Sequence, residues 1–170
     1  FLKYKKGDKN MTKKIFRIMT MSYIILLGAI FGASIYAGAV VAPTTFHSET
    51  LLGTELLSNF QEGLIMTVNF QKLGYAVNFM VFSVLIYEAI KWKNFESDRW
   101  VLIASFLVVS SGLLFSSFYI PDIIDMQLQG DIVTASEKFK NVHFASELDF
   151  KLFSFATLAL LILNLKKVLR

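Results

Sequence analysis

The chain has 170 residues, of which 55% are hydrophobic, 15% aromatic and only 18% charged, with a formal net charge of +4. Soluble domains carry about 25% charged residues, so this composition excludes an ordinary water-facing globule. The absence of cysteine removes disulfides, thiolate metal sites and cysteine nucleophiles together, and two prolines and nine glycines leave no linker or low-complexity tract.

Residues 1–17 read as a basic tail carrying Lys3, Lys5, Lys6, Lys9, Lys13, Lys14 and Arg17. Met11 followed by Thr-Lys-Lys has the form of a natural start, with the ten residues before it an alternative start or a cloning remnant. No charge then occurs from Ile18 to Ala42. This exceeds the roughly 18 to 20 apolar residues needed to cross a ~30 Å hydrocarbon core. The basic start, apolar run and "AGA" imitate a secretory signal, but the run is too long for a signal core and predicts an uncleaved first helix. Small residues recur four apart within it: Gly28 and Gly32; Ala29, Ala33 and Ala37; Ser34, Gly38 and Ala42. That spacing lets helix backbones approach closely where lipid offers no hydrophobic drive. Gly28, Gly32 and Gly38 are therefore expected at helix contacts, within the bundle in preference to a homodimer seam.

From Thr50 to Phe60, Leu52, Leu56, Leu57 and Phe60 recur at helical spacing while Glu55 and Asn59 face elsewhere. A short amphipathic helix on the outer surface is expected there. The second span, Leu64 to Ile90, is interrupted by Lys72 and Glu88, and the third, Trp100 to Pro121, has no charge. Its serines (Ser105, Ser110, Ser111, Ser116, Ser117) can bond their own backbone carbonyls and need no ligand. Asp122 to Gln129 reads as a further turn or two ended by Gly130, and Phe144 to Leu165 as a fourth span interrupted by Glu147, Asp149 and Lys151. Alternating strand-length runs are absent, so a barrel is excluded. The expectation is an all-α polytopic membrane protein. Residues 18–170 form a single four-helix transmembrane bundle with short amphipathic helices on its outer face.

Charge sets the orientation. The tail, the second connection (Lys91, Lys93, Arg99) and the C-terminus (Lys166, Lys167, Arg170) hold thirteen of the seventeen basic residues. The opposite side keeps Lys72, Lys138, Lys140 and Lys151 with nine acids, among them Glu49, Glu55, Glu62 and Asp122. The positive-inside rule then predicts both termini on the cytoplasmic side of a bacterial inner membrane, with the lipid bilayer as partner and no role for nucleic acid. Counting helix length from Lys91 and Lys166 puts Lys72 and Glu147 near the outer boundary, so the charges do not lie at mid-membrane.

The small-residue first helix ending in "AGAVVAPTTF", with "HFASELDFK" opening the last, resembles a bacterial domain-of-unknown-function family related to the eukaryotic transmembrane proteins associated with cisplatin resistance. The resemblance implies a four-helix membrane protein with no established reaction, and it carries over Pro43, Phe46, His143 and Ser146. Where relatives have an asparagine after the His-Ser pair, this chain has Asp149 and Lys151 nearby.

Two readings of the outer polar residues remain. His143, Glu147 and Lys151 are four apart and share one helix face, where Glu147 can simply pair with Lys151. Alternatively His47, His143 and Glu147, with Glu49 or Asp122, form a metal site for zinc or another divalent ion. A haem between His47 and His143 lacks a buried pocket, and no nucleophile elbow or glycine-rich phosphate loop is present. Lys72, near the outer boundary, needs a carboxylate neighbour, which predicts a polar cluster of Lys72, His143, Glu147 and Asp149 under the loop of His47 and Glu49. The function expected is a non-enzymatic accessory or interaction subunit, in a homo-oligomer or larger membrane complex, or a stress-tolerance protein. The alternative is an outer-face metal- or small-ligand-binding protein, including a metal-dependent enzyme; no cofactor is specified.

Overall fold

A computed structural model describes residues 2–54, 56–94 and 98–169, with side chains from Lys13 onward except that of Leu51. Glu55 and Arg170, counted above among the charges of the two sides, lie outside the described residues, as do the side chains of Lys3, Lys5, Lys6 and Lys9. Helix α1 (Leu2–Tyr36) continues through a π-turn (Ala37–Val41) into α2 (Ala42–Phe46). Then follow α3 (Ser48–Leu52), α4 (Asn59–Lys93) and α5 (Arg99–Leu114). A second π-turn (Phe115–Tyr119) joins α5 to α6 (Ile120–Leu128), before α7 (Asp131–Thr134) and α8 (Glu137–Val168). Four stretches are long and apolar enough to cross a membrane: Lys13–Phe46, Asn59–Lys93, Arg99–Leu128 and Glu137–Val168. The four-span all-α reading holds, and α1 begins within the basic segment before Ile18.

Both prolines lie inside spans that the sequence reading ended at them. Proline lacks the N–H that would bond four residues back, and its ring crowds that carbonyl. In each case the turn before the proline widens into a π-turn, and the helix runs on through Pro43 or Pro121. Such local readjustment is how membrane helices tolerate proline. The expected amphipathic helix over Thr50–Phe60 does not form. Gly53, at φ +71°, ends α3 in the left-handed region, and Ser58 opens α4. Ser58 Oγ accepts from the Gln61 N–H while Gln61 Oε1 accepts from the Ser58 N–H, a capping box that fixes the start. The turn ended by Gly130 is present as α6, with Gly130 at φ +98°.

The four spans pack as a ring. Each touches its chain neighbours, and the first closes on the fourth; the contact of α5 with α8 is the most extensive. Tyr23, Leu27 and Ile30 from α1 meet Val77, Val81 and Val84 from α4, Val101 and Val108 from α5, and Phe153 and Leu160 from α8. Gly112 makes the tightest approach: a Cβ there would lie 2.7 Å from Val81 Cγ2 and 3.1 Å from Phe153 Cε2. Where lipid is as apolar as the core, such close packing supplies the association energy.

Candidate functional site: a cleft between the first and fourth spans

The small residues of the first rod do not act as one stripe. Successive helical residues turn by about 100°, so Tyr23, Leu27, Ile30 and Ser34 cluster on one face while Gly32 points away from it. Gly32 has nothing within 4 Å of a built Cβ, which corrects its assignment to a helix contact. Gly28 reaches Leu161 at 4.0 Å and Gly38 reaches Phe150 at 3.4 Å, so both face α8. Beyond Ser34 the small side chains of Gly38, Ala39 and Ala42 leave space that α8 does not fill.

That space is a cavity of about 930 Å³ bounded by the first rod, the start of α4, α6, α7 and the first half of α8. Its floor is an aromatic trio: Phe70 and Phe115 have centroids 5.9 Å apart, Phe70 and Phe150 5.3 Å, and Phe115 and Phe150 4.7 Å. Polar groups gather at the other end. His47, Asn59, Gln127, Asp131, Lys140 and His143 all line that mouth. The His143 ring stacks on Phe139 at 6.0 Å, parallel to within 8°.

His47, His143 and Glu147 all border the cleft, yet among the described residues no three histidine or carboxylate groups are placed to hold a metal ion. Glu147 is engaged by Lys151 at 2.6 Å in an exposed i,i+4 pair. Of the expected cluster of Lys72, His143, Glu147 and Asp149, only His143 and Glu147 share the cleft lining. Lys72 is exposed on α4 and has no ion pair among the described residues, because it lies about 140° around the helix from the packed Val77. Asp149, two residues from Glu147, falls about 200° around α8 and does not line the cleft; its Oδ2 is buried with no hydrogen-bond partner among the described residues.

Four buried polar side chains were not expected from the sequence to be buried. Glu62 is 1% exposed and accepts from Ser48 Oγ at 2.5 Å, pinning α3 onto α4 beside the cleft. Gln127 is buried in the cleft wall. Glu88 and Lys91, read as boundary charges, are buried together at the opposite end of the bundle. Opposite charges three apart on one helix were the available signal for that pair. At the same end Asp98 caps α5: its carboxyl is held below the usual range by the Trp100 N–H, at 2.9 Å, and by Lys167, at 3.5 Å.

The sequence profile of DUF4149, a domain of unknown function, matches residues 25–131, more than half of the chain. The chain belongs to the DUF4149 family. No curated protein and no solved structure matches it. The DUF4149 match includes "AGAVVAPTTF", the aromatic pair Phe70 and Phe115, and Gln127. It ends at Asp131, so α8, the other wall of the cleft, lies outside it. The protein is thus a DUF4149 membrane protein with four candidate spans.

Proposed function

We propose that this DUF4149 protein is a non-enzymatic membrane protein that holds an amphiphilic small molecule in the cleft between its first and fourth spans. The carrying observation is the polarity gradient of the 930 Å³ cavity, from the Phe70, Phe115 and Phe150 floor to the His47, Lys140 and His143 mouth. That volume is in the range of small-molecule sites, about 300 to 1,000 Å³.

Depth supports the same reading. At ~1.5 Å per residue, Phe150 lies about 26 Å along α8 from Lys167, and His143 about 36 Å. A hydrocarbon core of ~30 Å measured from the Asp98–Lys167 end therefore leaves the cleft floor in the apolar layer and its mouth among head groups. The basic residues at that end support cytoplasmic termini in a bacterial inner membrane. The resemblance to a family related to the cisplatin-resistance-associated proteins supports a role in stress tolerance, which capture of a membrane-active molecule would serve. The ion pairing of Glu147 by Lys151 weighs against the metal-site alternative.

The test is native mass spectrometry of protein purified in mild detergent. The wild-type chain is expected to retain a bound amphiphile, and Ala42→Trp, which fills the cleft from the first rod, to lose it while remaining folded. A wild-type chain that carries no adduct, even after incubation with long-chain amphiphiles, overturns the proposal.

A further inference from the structure

The polar groups around the cleft are unequal in what they still offer. Four hydroxyls on the lining are already used within their own helices. Thr67, Thr134, Ser146 and Ser154 donate to the carbonyls of Gly63, Asp131, His143 and Phe150 at 2.7–2.9 Å. Gln127 is different. It is 7% exposed, borders the cleft, and its side-chain amide has no hydrogen-bond partner among the described residues. Gly63 makes room for it, since a Cβ at Gly63 would lie 3.6 Å from Gln127 Nε2. The amide atoms are not sealed in the protein but open onto the cleft, so water or a ligand atom must supply their bonds.

Around Gln127 each of the neighbouring cleft groups Lys140, His47 and His143 can donate a hydrogen bond, and the ammonium can only donate. The Lys140 ammonium has no ion pair among the described residues, and the imidazoles of His47 and His143 border the same cavity. Of the two acids on the lining, Glu147 is neutralised by Lys151 at 2.6 Å, which leaves Asp131 as the other. An ammonium, an amide and two imidazoles set against one free carboxylate favour a ligand rich in acceptors. Anionic oxygens make the strongest such bonds.

We infer that the occupant is an anionic amphiphile whose hydrocarbon tail lies on the Phe70, Phe115 and Phe150 floor and whose carboxylate or phosphate head group is held by Lys140, His143 and Gln127. The inference rests on the amphiphile-binding reading above and adds the charge of the head group. The aromatic floor gives the tail apolar contact, and the donor-rich mouth gives the head group its bonds.

Three ligands of one chain length separate the possibilities: a long-chain fatty acid, the corresponding monoalkyl phosphate and the corresponding alcohol. Binding is measured by titration calorimetry in neutral detergent on the wild-type protein, Lys140→Gln and Gln127→Leu. Lys140 is exposed, so its variant is expected to keep the wild-type melting temperature. The acid or the phosphate should bind more tightly than the alcohol, and the tighter of the two identifies the head group. Lys140→Gln should weaken the anionic ligands by about ten- to a hundredfold, the loss of a charged hydrogen bond, and leave the alcohol unchanged. Gln127→Leu should weaken the anionic ligands as well. Equal binding of acid and alcohol, or anion binding indifferent to Lys140→Gln, overturns the anionic head group while the cleft remains a binding site. Failure of all three ligands overturns the amphiphile reading itself.

Discussion

Lys91 and Glu88 form an ion pair inside the bundle, with Nζ 3.2 Å from Oε1 and both side chains at most 7% exposed. The ammonium also donates to Asn164 Oδ1 at 3.3 Å and lies 5.2 Å from the centre of the Tyr87 ring, which stacks on Tyr23 at 4.0 Å. One cation on α4 thus joins the first and fourth spans. Removing a single partner strands the other charge, a loss of about 3 to 5 kcal/mol when such a pair is buried. Lys91→Met should therefore destabilise the protein strongly, and Lys91→Met with Glu88→Gln should recover much of the loss. Glu147→Gln, in an exposed pair, should change stability by less than about 1 kcal/mol. Denaturant titration in detergent compares the three, and equal losses for Lys91→Met and Glu147→Gln would contradict the account.

Composition and charge-free runs were sufficient for the four spans, because a ~30 Å apolar layer demands long uncharged helices whatever packs against them. Rotation about each helix was less legible. Gly32 and Gly38 look alike in a list of small residues, and only the neighbours reveal that one faces open space and the other Phe150. The prolines misled for a local reason: Pro43 and Pro121 read as stops, and a widened turn before each lets the helix continue. The cleft was half legible. His47, His143 and Glu147 read as outer-face groups and do border it, but helix length fixes only the depth of a partner and not its side of the helix. Gln127 and Glu62 gave no signal, since a lone amide or acid near a helix end is ordinary until burial is known.

Two glycines should respond oppositely to the same methyl group. At Gly112 the new Cβ would press on Val81 and Phe153, both fully buried, and Val81 is stiff at χ1. Gly112→Ala is expected to cost about 1 to 3 kcal/mol through overpacking. Gly32 has open space around it, so Gly32→Ala should be neutral or stabilising by up to about 1 kcal/mol, the helix preference of alanine over glycine. Thermal melts of the two variants, measured side by side, test this. A Gly32→Ala variant less stable than Gly112→Ala would refute the helix rotation described here.

The cap at Asp98 makes part of the stability depend on pH. Its carboxyl titrates below the usual range because the Trp100 N–H and then Lys167 favour the charged form. A carboxyl whose folded pKa is depressed stabilises the fold above its unfolded value, near 3.9, and loses that contribution as pH falls through the folded value. The melting temperatures of wild type and Asp98→Ala should differ at neutral pH and converge on acidification below about pH 4. A gap that persists unchanged at the lowest pH would assign the effect to something other than the charged cap.

Thr54 and Asn94 lie in connections at opposite ends of the bundle, and both are exposed. The chain has no cysteine, so each can carry a single reporter thiol. If the basic end faces the cytoplasm, an impermeant maleimide should label Thr54→Cys in intact cells, and Asn94→Cys only after permeabilisation. Labelling of Asn94→Cys alone in intact cells would invert the orientation, and with it the leaflet from which the cleft opens.

Ser48 and Glu62 decide whether α3 stays against α4 at the edge of the cleft. Ser48 Oγ donates to Glu62 Oε1 at 2.5 Å, and Glu62 Oε2 is buried with no partner among the described residues. Among the described residues this bond ties the five-residue helix α3, next to His47, to α4. A helix that short has little stability of its own and depends on such tertiary contacts. Ser48→Ala leaves the carboxylate buried without its donor, at a cost of about 1 to 3 kcal/mol, and the cheapest relief is for α3 to lift away. Hydrogen exchange should then quicken over residues 48–54 while the four spans remain protected. Ser48→Thr, which keeps the hydroxyl, should retain protection near the wild-type level. Unchanged exchange over residues 48–54 in Ser48→Ala would mean that α3 is held by packing alone.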